Sequence, residues 1–243
     1  MRAARSGGET QVNPTWRETF QLWSQTDQHQ RALQSAHETI QRALQSATKP
    51  YIAFSGGKDS TVMAHMVLQH KPDTMVLHWD YGRAFIPETI HHEILRNARK
   101  LGARNLRIET SPLYTQLGRG AQNVLGRHLI GRLLPQLAQE GYDLAFVGLR
   151  KQESSKRAIR LRTNKALSVI PECHPLADWD WRDVWAYIVA HKLPYLSLYD
   201  QRAELVGYNF VRFTTLFDSE FEHLGAPAVD NYLHWRHRNE TRP

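Results

Sequence analysis

The chain has 243 residues, 41% hydrophobic and 23% charged, with a formal charge of +7 and a pI near 9.6. That is enough to bury a substantial core as one domain, and no apolar run approaches the roughly 20 residues a bilayer span needs. The single Cys173 excludes an intrachain disulfide and a four-cysteine iron–sulfur cluster; with no hydrophobic stretch behind the N-terminal arginines, the expected location is the cytoplasm, with no membrane contact. The basic balance favours polyanionic ligands such as nucleotides or nucleic acid.

Residues 1–12 are expected to be disordered. Asn13-Pro14 reads as the N-cap and first position of a helix with Trp16, Phe20 and Trp23 on one face. Leu33, Ala36, Ile40 and Leu44 form a second face, and the wholly polar stretch between them either breaks the helix or leaves it exposed. This lead-in is expected to pack against a sheet. Tyr51-Ile-Ala-Phe54 is the first strand; it runs into Gly56-Gly57, and an amphipathic helix follows from Ser60. Thr74 to Trp79 is the second strand and ends in Asp80-Tyr81-Gly82. Pro87-Glu88-Thr89 opens a helix carrying Ile90, Ile94, Ala98 and Leu101, stopped by Gly102. A short strand from Arg104 to Glu109 is expected to point Leu106 and Ile108 inward, and 110–123 reads as an irregular loop. Val124 to Gln139 is predicted helical with a kink at Pro135, and the apolar run Leu144 to Leu149 reads as a buried parallel strand.

Strand–helix alternation at this spacing predicts an α/β fold: a doubly wound, mainly parallel sheet with helices on both faces. Ligands of such sheets bind beyond the carboxyl ends of the strands. Three charged or glycine-rich segments follow strand ends here: Ser55–Ser60, Asp80–Arg83 and Arg150–Arg162. In the first, a strand, a glycine turn and a helix N-terminus aim backbone N–H groups at an anion. Ser55 and Ser60 add hydroxyls, Lys58 a cation and Asp59 a carboxylate that could take Mg²⁺.

Ser55-Gly56-Gly57-Lys58-Asp59-Ser60 resembles the SGGxDS loop of the PP-loop (N-type) ATP pyrophosphatases, which grips the pyrophosphate end of ATP. Gly148-Leu-Arg150-Lys-Gln-Glu153-Ser-Ser-Lys-Arg157 resembles a signature of the phosphoadenosine-phosphosulfate (PAPS) reductase and ATP sulfurylase small-subunit branch. Two further segments are similar to the same branch: Pro175-Leu176 through Tyr187-Ile188, and Leu193-Pro194-Tyr195 through Tyr199. Within the first of these two segments Asp180 reads as an N-cap with Asp183 as its weaker capping-box partner, and Trp179 and Trp185 as core anchors. The resemblance, which runs from about residue 33 to 200, implies an adenine-nucleotide alpha-hydrolase-like domain, assigned with its helical lead-in to 13–200. Residues 201–243 carry none of these motifs, and their Phe213, Phe217, Phe221, Tyr232 and Trp235 suggest a C-terminal extension packed on that domain. The resemblance also implies ATP and Mg²⁺ as cofactors. Ser55, Gly56, Gly57, Lys58, Asp59, Ser60, Asp80 and Gly148 would bind them, with Asp59 as the metal ligand. Lys58, Asp59, Arg150 and Arg157 would carry the chemistry, the two arginines holding an anionic acceptor.

The reductases of that branch use a cysteine near the C-terminus as nucleophile, and no cysteine follows Cys173 in these residues. The expectation is therefore adenylation of an anionic acceptor, sulfate or a nucleic-acid group awaiting modification, with release of pyrophosphate. The alternatives are a sulfonucleotide reductase whose thiol comes from a partner protein subunit, and a non-catalytic nucleotide-sensing or nucleic-acid-binding subunit.

Overall fold

The computed structural model describes residues 12–118, 120–121, 126–163, 166, 168–211 and 213. Five strands, β1 (Pro50–Ala53), β2 (Met75–Asp80), β3 (Leu106–Thr110), β4 (Leu144–Val147) and β5 (Glu172–Cys173), form one sheet in the order β3-β2-β1-β4-β5. Every pairing is parallel. The chain winds outward from β1 through β2 to β3, then returns to place β4 on the other side of β1. That reversal makes the gap between β1 and β4 the topological switch point, where such sheets open a crevice at their carboxyl edge.

Helices cover both faces, as the alternation predicted. On one face His78 of β2 stacks near His91 of α4 (Glu88–Lys100), with ring centroids 5.7 Å apart. On the other, Trp79 donates its indole N–H to Tyr114 of α5 (Pro112–Leu117) at 3.1 Å. α3 (Lys58–His70) differs from the amphipathic helix expected: it starts two residues earlier, and Lys58 to Ala64 are all buried, because α8 (Trp181–Ala190) covers it from outside the sheet.

The lead-in consists of α1 (Pro14–Ser24) and α2 (Asp27–Ser46). Asn13 caps the first, accepting from the Thr15 N–H at 3.1 Å. The polar stretch is a break: Thr26 caps α2 by accepting from His29 N–H at 3.2 Å. Contrary to expectation, α1 packs on α8 rather than the sheet. Phe20, fully buried, stacks on Trp185 at 6.0 Å, and Trp16 meets Trp181 edge-on at 5.9 Å. His29 and the Trp23 indole both bond Asp183 Oδ1, at 3.0 and 2.8 Å, which fixes the lead-in to the capping box that opens α8. That box, Asp180 with Asp183, forms as predicted, and Trp179 and Trp185 are buried.

Three local expectations change. Ile108, expected inward, is 41% exposed on β3, the edge strand of the sheet. The loop after β3 contains α5, whose Ser111 side chain accepts from the Leu113 N–H at 3.4 Å and supplies the cap. Before Pro135 the helix widens into a π turn, Leu129–Leu133, and continues as α6 (Leu134–Gln139); a proline without an N–H is accommodated by a wider turn instead of a plain kink. The start predicted at Val124 lies outside the described residues, as do residues 1–11 and 214–243; Val12, assigned to the disordered stretch, is buried.

Candidate functional site

The loop between β1 and α3 is shaped by two glycines with different jobs. Gly56 has φ +83°, and a Cβ there would lie 2.6 Å from Ile94 of α4, so both backbone and space demand glycine. Gly57 is the N-cap residue of α3 and faces a cavity. The Ser55 hydroxyl accepts from the Gly57 N–H at 3.3 Å and lies 3.1 Å from the Ser60 hydroxyl, which in turn donates to the Gly57 carbonyl at 2.9 Å. These bonds hold the turn tightly closed before any ligand arrives.

β4 delivers the second half. A Cβ on Gly148 would sit 3.0 Å from the Asp59 carbonyl carbon and the Ser60 nitrogen, so β4's end packs directly on the first turn of α3. Arg150, just beyond, is buried and bonds Asp59 Oδ1 through its Nε. Lys58 Nζ takes the other oxygen, Oδ2, at 3.0 Å. Burial alone would resist charging Asp59, but the Arg150 guanidinium and the Lys58 ammonium hold its carboxyl well below the usual carboxylate range. Burial pushes the Lys58 amine down, against the pull of Asp59. The series continues through Glu153, which accepts from the Arg150 N–H at 3.1 Å and pairs with Arg157 of α7 (Ser155–Thr163). Lys58, Arg150 and Arg157 against Asp59 and Glu153 leave one positive charge in excess beside the loop.

The cavity opens at the β1/β4 switch point. Its polar rim is Ser55, Gly57, Asp59, Ser60, Gly148, Glu153 and Arg157; its walls include Tyr51, Phe54, Leu77 and Trp79 of the sheet region, with Leu129 and Leu134. Arg160 and Glu172, paired at 2.5 Å, lie along one side, and Phe213 contributes from the chain's C-terminal part.

The predicted residues thus divide. Ser55, Gly57, Asp59, Ser60, Gly148 and Arg157 line one cavity, while Gly56 shapes it from behind. Lys58 and Arg150 were expected to touch ligand and acceptor; neither lines the cavity, and both are buried around Asp59. Asp80 does not line it either: its carboxylate accepts from the Gly82 N–H at 2.9 Å and from Arg83. Both oxygens of Asp59 are committed to cations, and Asp80 is committed to its own turn, so these carboxylates do not fit the magnesium role expected of them. Among the described residues no group of three or more His, Cys, Asp or Glu side chains is arranged to hold a metal.

Sequence reasoning missed the aromatic and apolar walls and Arg160 with Glu172, whereas the family-like segment ending in Tyr199 does reach the site: the Tyr199 hydroxyl accepts from the Lys58 N–H at 3.0 Å. The walls had a signal: Tyr51 and Ala53, Leu77 and Trp79, Ala145 and Val147 alternate along their strands and share one face. Cys173 pairs with Phe146 on the opposite face, and burial pushes its thiol up to about 11.

Comparison with known proteins gives the site a context. Residues 49–225 match the family model described as the phosphoadenosine phosphosulfate reductase domain. A phosphoadenosine 5'-phosphosulfate reductase of Xanthomonas oryzae pv. oryzae is 30% identical over 183 residues, covering 71% of this chain and 75% of the relative. One from Serratia proteamaculans is 28% identical over 184 residues, with coverage of 71% and 75%. Among solved structures, the phosphoadenylyl-sulfate reductase of Candida auris in its phosphate complex shares the fold at a TM-score of 0.53 and 17% identity, over 80% of this chain and 95% of that one. The chain belongs to the phosphoadenosine phosphosulfate reductase domain family. No described helix is long and apolar enough to cross a membrane.

Proposed function

From that membership we propose that the chain binds an adenylyl sulfate, with or without a 3'-phosphate, in the β1/β4 crevice and presents its sulfonate to a thiol supplied from outside these 243 residues. The observation that carries the reading is the cavity itself: aromatic and apolar walls suited to a nucleoside lead to a rim of hydroxyls and Arg157, where the carboxylates Asp59 and Glu153 are paired with Lys58, Arg150 and Arg157 and leave one positive charge in excess.

The chemistry balances with two thiols. A thiolate attacks the sulfonate sulfur, an S–S bond forms, and the S–O bond to the nucleotide phosphate breaks with its electron pair leaving on the phosphate. A second thiolate then attacks the thiol-derived sulfur of the S-sulfo adduct (R–S–SO3−), breaking its S–S bond and giving a disulfide and free sulfite, so two thiols are oxidised and the transferred sulfur is reduced by two electrons. In the first step negative charge grows on the departing phosphate, where the Arg157 side of the rim and the Ser55 and Ser60 hydroxyls would meet it. Lys58 and Arg150 act at one remove by keeping Asp59 ionised and the first turn of α3 in place. Cys173 is excluded as the thiol by its position on the far face and its raised pKa.

The family relatives favour this reading over adenylation, for which ATP would occupy the crevice and a carboxylate would have to be released to hold magnesium. The test supplies the chain with adenosine 5'-phosphosulfate or its 3'-phospho form, plus thioredoxin or dithiothreitol, and measures sulfite. Sulfite formation that depends on the chain supports the proposal; none with any thiol donor, alongside pyrophosphate release from ATP and an acceptor, would move the assignment to adenylation.

A further inference from the structure

The first N–H of α3, on Lys58, lies at the end of the helix that attracts anions, and such a donor is satisfied by a ligand, a cap or water. Here it is taken by a side chain 141 residues away: the Tyr199 hydroxyl accepts from it at 3.0 Å in a buried position. Tyr199 is the second residue of α9 (Leu198–Val206), and that helix is anchored. Ser197, just before it, bonds Glu93 of α4 through its N–H at 2.8 Å and its hydroxyl at 3.0 Å. The Tyr199 ring meets Trp185 edge-on at 5.6 Å and lies 5.9 Å from Lys58 Nζ. A Cβ on Gly57 would be 3.5 Å from the same hydroxyl and 3.6 Å from the Phe213 carbonyl, so Tyr199 and the chain after α9 lie directly over the loop.

We infer that Tyr199 is the resident occupant of the loop: its hydroxyl holds the Lys58 N–H, the donor next to the cavity-lining Gly57, and an oxyanion of the ligand reaches that donor by displacing it, so ligand binding and the seating of Tyr199 compete for one donor. Two physical points support this. A buried N–H left without an acceptor is costly, so the free protein gains by filling the position. A charged phosphate or sulfonate oxygen is a stronger acceptor than a neutral phenol, so the ligand displaces the hydroxyl when it arrives. Tyr199 is therefore a positioning residue that couples loop occupancy to α9, beside the Phe213 carbonyl that lies over the same glycine. The inference rests on the proposed reading only in taking the ligand to be anionic and bound in this crevice.

Tyr199→Phe keeps the ring and its Trp185 contact and removes the hydroxyl that accepts from the Lys58 N–H. Calorimetric titration with inorganic sulfate and with adenosine 5'-phosphosulfate should show roughly two- to tenfold tighter binding than wild type, the worth of one released neutral hydrogen bond. Equal or weaker binding overturns the inference, since a purely structural role for the hydroxyl predicts loss. A second measurement needs no variant. In the isotope-labelled wild-type chain, sulfate should move the Lys58 amide and Tyr199 ring resonances together, and bound sulfate with a stationary Tyr199 ring refutes displacement. Tighter binding without sulfite production leaves the competition standing and removes the reductase reading. If neither protein binds either anion, both fall.

Discussion

Asp59 offers the sharpest test of the electrostatic reading. It stands between Lys58 and Arg150, and the three side chains are 13%, 2% and 4% exposed. Asp59→Asn keeps the volume and removes the charge, leaving two buried cations with Glu153 as the nearest remaining carboxylate. Breaking a buried ion pair by neutralising one partner costs about 3–5 kcal/mol. For a domain of this size that corresponds to a fall in melting temperature of roughly 6–20 °C. The assay is urea unfolding followed by far-ultraviolet circular dichroism, with and without sulfate. Sulfate should restore more stability to the variant than to wild type, because the variant has the larger unbalanced charge. The pH dependence has a definite sign. Asp59's folded pKa is depressed, so its contribution is present above the unfolded carboxyl value near ~3.9 and is lost as pH falls below it. The gap between wild type and variant should accordingly narrow below about pH 4. A loss under about 1 kcal/mol at pH 7 would show that the cluster is not the buried, mutually dependent set described here.

Gly148→Ala should cost about 1–3 kcal/mol and weaken anion binding, since the new methyl meets backbone of Asp59 and Ser60 that cannot swing aside; unchanged stability in thermal unfolding would contradict that packing. His65 is held down to about 4, by burial and then by His191 and His37, and His78 is also lowered to about 4 by burial. Their folded pKa values are depressed, so the unfolded chain binds more protons between about pH 4 and 6.5, and stability should fall as pH drops through that window. The slope of melting temperature against pH should lessen in His65→Gln, and an identical slope would refute the assignment. Cys173→Ser should leave sulfite production unchanged, and Cys173 in wild type should alkylate slowly with iodoacetamide at pH 7.5; rapid labelling, or loss of activity in the variant, would return it to the reaction.

The sequence by itself determined the local parts. Period-two and helical patterns, Pro14, the Asp180–Asp183 box and the Gly56-Gly57 turn are signals carried within a few residues, so the α/β class, the caps and the loop were legible from them. Residue types near a strand end also identified most of the cavity's rim. Tertiary structure decided which way those residues face and what they meet. Whether Lys58 and Arg150 touch a ligand or clasp Asp59 depends on β4 lying beside β1, which brings together groups 91 residues apart. The same placement puts Gly148 on the α3 backbone, and the return of α9 brings Tyr199 onto the Lys58 N–H. Charge and hydrogen-bonding capacity can be read along a chain; the partner that satisfies them is set by strand order and burial, because a charge taken out of water must pair with whatever the fold brings within reach.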